Sequence, residues 1–163
     1  MSTTMGQAPS FDPLVFDDEE AIEALASSVM QLHEGLLAFG KCYTTCMKGD
    51  RATLIHGRIE SVLSNAFCTI FGQSPIDRFS DIFDQASYIA EHMAKDHIFE
   101  DGNKRTSLVF AFAIIRVRNV SVDFSDNPNP EDNPYYEWIQ DLVSGKRTRK
   151  ELASELRRNS KPI

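Results

Sequence analysis

Ten consecutive residues concentrate the reactive chemistry of this chain: His97-Ile98-Phe99-Glu100-Asp101-Gly102-Asn103-Lys104-Arg105-Thr106. The run gathers a base, a carboxylate, a glycine, an amide and two cations immediately before the most apolar stretch of the sequence. A connector between two helices needs none of these. The start of a helix carries unpaired N–H groups and a partial positive charge, so it is a ready site for an anion. Gly102 admits backbone conformations closed to other residues and lets a phosphate come near the main chain. Lys104 and Arg105 add charge, and the guanidinium alone can hold two phosphate oxygens in a fork. Asp101 is a hard oxygen donor suited to Mg²⁺, an ion that often takes one or two protein carboxylates beside phosphate oxygens. His97 can accept a proton from an attacking hydroxyl, a role worth about 10²–10⁴ in rate. Ile98 and Phe99 are expected to point inward and pin the loop. These residues together describe a Mg²⁺-dependent phosphate-ester site with a histidine base, and they leave the ester open.

The elements that must hold this loop follow from apolar spacing. Asp17 and Asp18 are placed to cap a helix, with Glu19 and Glu20 in its positive first turn and Ile22, Leu25, Val29, Leu32, Leu36 and Leu37 recurring to about Phe39. Lys48 to His56 is polar and short, and reads as a loop or small hairpin. A second helix is expected after Gly57, with Ile59, Val62, Leu63, Ala66, Phe67, Ile70 and Phe71 as its stripe and Gly72 as its stop. A third opens at Ser74-Pro75 and runs to about Lys95. Leu108 to Ile115 is apolar on nearly every side and predicts the buried central helix. A short strand is expected at 120–124, a helix through Tyr135, Trp138, Ile139 and Leu142 closed by Gly145, and a last helix opened by the capping box of Thr148 and Glu151. The fold class is all-α: a compact helical bundle, carrying a short flap or hairpin, over 21–163, with 1–20 as a flexible N-terminal extension.

Composition narrows the function classes. At 163 residues the chain suits one domain, and 42% hydrophobic residues supply an ordinary soluble core. Leu108 to Val117 is too short to span a bilayer. The polar first ten residues do not resemble a secretion signal, and three cysteines cannot all pair, which points to a reducing cytoplasm. The net charge of −7 argues against nucleic acid as a partner, although Lys146, Arg147, Arg149, Lys150, Arg157, Arg158 and Lys161 make the C-terminus basic. That basic segment reads as a solvated helix face or, more sharply, as a docking site for an acidic partner. His33, His92, Trp138 and its neighbouring tyrosines read as structural or surface residues.

The run from His97 to Arg105 resembles the signature of the Fic/Doc (Fido) family, His-x-Phe-x-(Asp/Glu)-(Gly/Ala)-Asn-x-Arg, with all six defined positions of the nine filled. Further resemblance lies in Leu32-His33, in Gly57-Arg58-Ile59-Glu60, and in Ser144-Gly145-Lys146 with Leu156-Arg157-Arg158; the first twenty or so residues have no counterpart. The resemblance implies a helical bundle in which His97 is the general base, Asp101 holds Mg²⁺, and Gly102, Asn103, Lys104 and Arg105 cradle the phosphates of ATP. Asn103-Lys104-Arg105-Thr106, and Leu108 where adenylyl-transferring members carry a second arginine, are similar to the Doc branch, whose members are kinases. Gly102 is similar to the adenylyl-transferring branch instead. The Doc resemblance further implies a cytoplasmic toxin that phosphorylates a translation factor, elongation factor Tu being the branch's target, and a separate antitoxin chain as partner. The family's inhibitory string (Ser/Thr)-x-x-x-Glu-(Gly/Asn) is absent; Ser154 to Asn159 comes nearest, with Arg158 where the glutamate would stand. Lys48 to His56 falls where the family places a substrate-aligning flap. Protein adenylylation, and a catalytically silent nucleotide- or partner-binding module, are the alternative readings.

Overall fold

The apolar run ahead of Arg116 folds as α5 (Asn103–Arg116), which buries Leu108, Phe110, Ala111, Ile114 and Ile115. It lies along α4 (Ile82–Lys95), the helix with the most extensive packing, and the motif loop joins the two. Against this pair pack α1 (Glu19–Phe39) and α2 (Asp50–Phe67) on one side, and α6 (Pro134–Ser144) and α7 (Arg149–Arg158) on another. The computed structural model describes residues 10–39, 50–99, 102–123 and 134–163. Among them the remaining elements are the single turn α3 (Pro75–Arg78) and an antiparallel ribbon of β1 (Val120–Val122) and β2 (Ser160–Pro162), so the all-α class holds. No helix among the described residues is long and apolar enough to cross a membrane.

Burial explains why the helices cohere. Phe67, Phe83, Ile59, Leu63, Ile82, Ile89, Leu108 and Ile115 are fully enclosed, each contributing about 1.5–3 kcal/mol of transfer free energy. Caps fix the ends. Asp18 Oδ1 accepts the Glu20 N–H at 3.0 Å at the start of α1. Thr148 and Glu151 close the expected box at α7, with bonds of 3.3 and 2.7 Å. Asp17, in contrast, does not cap α1: its carboxylate accepts the backbone N–H and hydroxyl of Thr69 at 2.6 and 3.1 Å.

Beyond Asp17, the structure departs from the sequence expectations at five places. Residues 50–56, expected as loop or hairpin, are the first turns of α2, so their backbone is helical rather than extended and cannot align a substrate as an added strand. Lys48 and Gly49 of that expected flap lie outside the described residues. The second helix stops at Phe67, before Gly72. Ile70 and Gln73 then exchange two backbone bonds of 2.9 Å around Phe71 and Gly72, both at positive φ, which leaves Phe71 fully exposed. The third expected helix is broken at Phe79, whose backbone is extended, because Asp81 caps a new helix by accepting the Asp84 N–H at 2.9 Å. Ile76 is consequently exposed. At the C-terminus, β2 was not foreseen; it pairs Ser160 with Val122 and Pro162 with Val120.

The fifth departure concerns the expected loose extension. Residues 10–18 are strapped to the domain. Ile82 N–H donates to Phe11 O at 2.7 Å, Arg118 donates to the carbonyls of Asp12 and Pro13 at 2.8 and 2.7 Å, and Phe16 N–H donates to Phe67 O at 2.8 Å. The fully buried Gln85 sits at the centre: its Oε1 accepts Leu14 N–H at 2.7 Å, and its Nε2 donates to Leu14 O and Ala66 O at 2.8 Å each. Gln85→Ala would strand a buried N–H and two carbonyls, so a loss of about 2–4 kcal/mol is expected in urea unfolding. A change below about 1 kcal/mol would show that water replaces the amide.

The basic C-terminal segment is also bound inward. Arg157 donates to Asp81 Oδ2 through Nη2 at 2.6 Å and Nε at 2.8 Å, and Arg149 reaches Asp84 at 3.5 Å. Arg147 pairs with Asp141 at 3.2 Å over the face of Trp138, and Arg158 pairs with Glu155. Four of the cations that suggested an acidic partner are therefore engaged by the chain's own carboxylates. Leu152 and Leu156 are buried as well, so α7 is a wall of the core against α4.

Candidate active site

The motif loop begins where α4 ends. Asp96 closes that helix with its N–H on His92 O at 3.0 Å, and His97 follows at φ 45, in the left-handed region. This is the position after a helix that glycine usually takes, and a side chain there costs about 1–2 kcal/mol. The imidazole is exposed. Arg58, from α2, grips the turn from outside, its guanidinium donating to the carbonyls of Asp96 and His97. The cation also faces the negative end of α4.

The chain then turns inward. Ile98 and Phe99 are each 3% exposed, as their apolar character required. The Phe99 ring lies flat on the ring of His33 from α1, with centroids 3.6 Å apart and planes 6° from parallel. Phe99 is held at its backbone too: its N–H donates to Asn103 Oδ1 at 2.9 Å, and its carbonyl accepts from Asn103 Nδ2 at 2.7 Å. One amide thus ties the loop's entrance to its exit. Gly102 caps α5 at φ 77 and ψ 10, a conformation for which glycine is suited.

The first turn of α5 completes the arrangement. Its first intrahelical bond runs from Thr106 N–H to Gly102 O at 2.9 Å, so the N–H groups of Asn103, Lys104 and Arg105 precede the ladder. No acidic side chain stands in that turn. Thr106 and Ser107 are buried beneath it. The Lys104 ammonium donates to the side-chain carbonyl of Gln140 on α6. The result is an exposed imidazole on a fixed turn, followed within one loop by the positive N-terminus of α5. Such an arrangement can take a proton from an acceptor hydroxyl and bind a phosphate chain.

Of the residues expected to do chemistry, His97, Gly102, Lys104 and Arg105 fall in this turn and helix start, while Asp101 lies outside the described residues. Asn103 is in the same turn, with its amide committed to the Phe99 backbone rather than projected outward. Two contributors, Arg58 and Gln140, were not assigned a role from sequence, while His33, read there as structural or surface, is buried against the Phe99 ring. Arg58 and His33 did stand in segments with family-like spacing, yet their contacts are long-range and leave no periodic trace. Cys68, the described cysteine, is a poor nucleophile: burial, aided by Asp17, raises its thiol pKa, and its Sγ donates to Phe16 O at 3.1 Å.

Removing the Arg58 clamp tests its positioning role. Arg58→Ala is expected to lower turnover about tenfold through a looser His97 turn, with a stability loss of about 1 kcal/mol or less at this exposed site. Turnover within twofold of the parent would show that the turn holds itself.

Residues 16–115 match the Fic/DOC family, more than half of the chain and the whole of the motif loop. The match starts within the strap, earlier than sequence reading placed the first family-like residues, and it stops in α5, ahead of α6 and α7. Among curated proteins, "Toxin Doc" of Mycolicibacterium smegmatis is 24% identical over 91 residues, covering 56% of this chain and 62% of the relative. The aligned region thus spans less than two thirds of the relative's length.

Proposed function

Because the chain belongs to the Fic/DOC family, we propose that it transfers the γ-phosphoryl group of ATP to a serine or threonine hydroxyl of another protein. The observation that carries this reading is His97 held in the left-handed region and exposed, one short loop before the N-terminus of α5. His97 removes the proton of the acceptor hydroxyl as its oxygen attacks phosphorus. The bond between the phosphorus and the bridging oxygen breaks, and ADP leaves with the electron pair. Arg105 and the first N–H groups of α5 hold the phosphates, with Lys104 as a further charge. A magnesium ion, with Asp101 as its protein ligand, would neutralise the phosphate charge.

Asn103-Lys104-Arg105-Thr106 and Leu108 support phosphoryl over adenylyl transfer, through their resemblance to the Doc branch. One observation favours the second reading: the Lys104 ammonium is engaged by Gln140 on α6 rather than left to add its charge to the phosphate cradle. Lys104→Gly separates the two. With ATP, the parent is expected to add a phosphate mass to its target and the variant to raise the share of AMP adducts. AMP adducts from the parent would overturn the phosphoryl reading. The biological role that fits is a cytoplasmic toxin acting on a translation factor, with elongation factor Tu the first candidate, restrained by a separate antitoxin chain. The curated relative's designation as a toxin supports that role.

A further inference from the structure

A second constellation of reactive groups lies on the other flank of α2. Ser27 Oγ, on α1, is 3.2 Å from His56 Nε2, and His56 Nδ1 is 2.6 Å from Glu60 Oε1. Hydroxyl, imidazole and carboxylate stand in the order that activates a serine: the nucleophile within reach of a base, and the base oriented by a third group. The carboxylate fixes the tautomer. With the proton of Nδ1 directed at Glu60, the lone pair of Nε2 faces the Ser27 hydroxyl. Ser27 is exposed and His56 half-buried, so a reagent in solution can reach the oxygen. His56 and Arg58 are two residues apart, about 200° around the helix. Arg58 faces the His97 turn while His56 faces α1, so the two sets of groups do not share members.

We propose that Ser27 is a covalently modifiable nucleophile, activated by His56 and Glu60, that accepts an acyl or phosphonyl group from an ester or fluoride with a good leaving group. The Ser27 O–H bond breaks and its proton goes to His56 Nε2; the oxygen bonds to carbon or phosphorus; the leaving group departs and takes that proton from His56. The site holds its adduct rather than turning over. Ser27 lies in the middle of α1, where its own N–H is spent on the helix ladder, so it offers no backbone donor to a developing oxyanion.

The experiment treats the full chain at neutral pH with a biotinylated fluorophosphonate and locates the adduct by peptide mass. One adduct per chain on the peptide containing Ser27 is expected. Ser27→Ala should abolish it, and Ala is at least as good a helix former. His56→Gln should slow labelling about 100-fold or more, and Glu60→Gln supplies a second test should that variant not fold. Ser27→Ala should leave transfer through His97 at the parental rate, which keeps this result separate from the transferase reading. No adduct above that of a heat-unfolded sample, an adduct surviving in Ser27→Ala, or parental labelling in both His56→Gln and Glu60→Gln would each overturn the proposal.

Discussion

His97→Gly is expected to abolish transfer while leaving the protein as stable as its parent to within about 1 kcal/mol. The two halves of that result come from one backbone angle. At φ 45 a side chain is strained, and glycine relieves the strain; glycine also loses more conformational freedom on folding, so the terms nearly cancel. The imidazole is exposed and contributes little packing. Activity should nonetheless fall by about 10²–10⁴ at saturating nucleotide, the range for loss of a positioned general base. His97→Ala should be equally inactive and slightly less stable, because it keeps the strain. Nucleotide affinity should hold in both variants, since the N-terminus of α5 is untouched. A variant retaining more than a tenth of parental turnover would remove His97 from the proton transfer. Paired urea unfolding and single-turnover measurements read both quantities.

Phe99→Ala should bring the largest loss of stability, about 3–5 kcal/mol for emptying a buried aromatic position. Domains of this kind have about 5–15 kcal/mol in total, so the variant should be partly unfolded at physiological temperature. The effect on activity should exceed the unfolded fraction, because Phe99 does more than fill space. Its ring is sandwiched against His33, and its backbone closes the Asn103 bridge, two residues from His97. A double-mutant cycle with His33→Ala isolates the stacking, for which a coupling of about 0.5–1.5 kcal/mol is expected. Additive losses would mean that the rings are neighbours without a mutual attraction. Phe99→Leu, which keeps most of the volume, should recover much of the stability and less of the turnover.

Legibility in the sequence varied with the range of the interaction. The loop from His97 to Arg105 was legible because its chemistry is local: types and spacing within nine residues carry it. The helices of α1, α5, α6 and α7 were legible because apolar residues recur at helical spacing and capping residues bracket them. The early turns of α2 were missed since 50–56 buries Ile55 alone while Leu54 beside it is exposed, which leaves no helical stripe, and its helical state is set by tertiary packing. The break at Phe79 was hidden by unbroken apolar spacing from Ile76 to Met93, with only Asp81 and Asp84 to mark a new start. The strap at 10–18 depends on Gln85 and Arg118, which lie 71 and 105 or more residues away from their partners. The Arg58 clamp, the His33 stack and the Ser27–His56–Glu60 chain share that cause. Each joins segments distant in sequence, and no periodicity records such a contact.

Intact-mass spectrometry of a target protein addresses the central claim most directly. Elongation factor Tu, and a whole lysate beside it, would be incubated with the chain, ATP and Mg²⁺, with His97→Ala as the control. The account predicts a gain of one phosphate mass on a target, absent with His97→Ala and traceable to a serine or threonine. A gain of one AMP mass would contradict phosphoryl transfer, and a gain equally present with His97→Ala would contradict the role given to the imidazole.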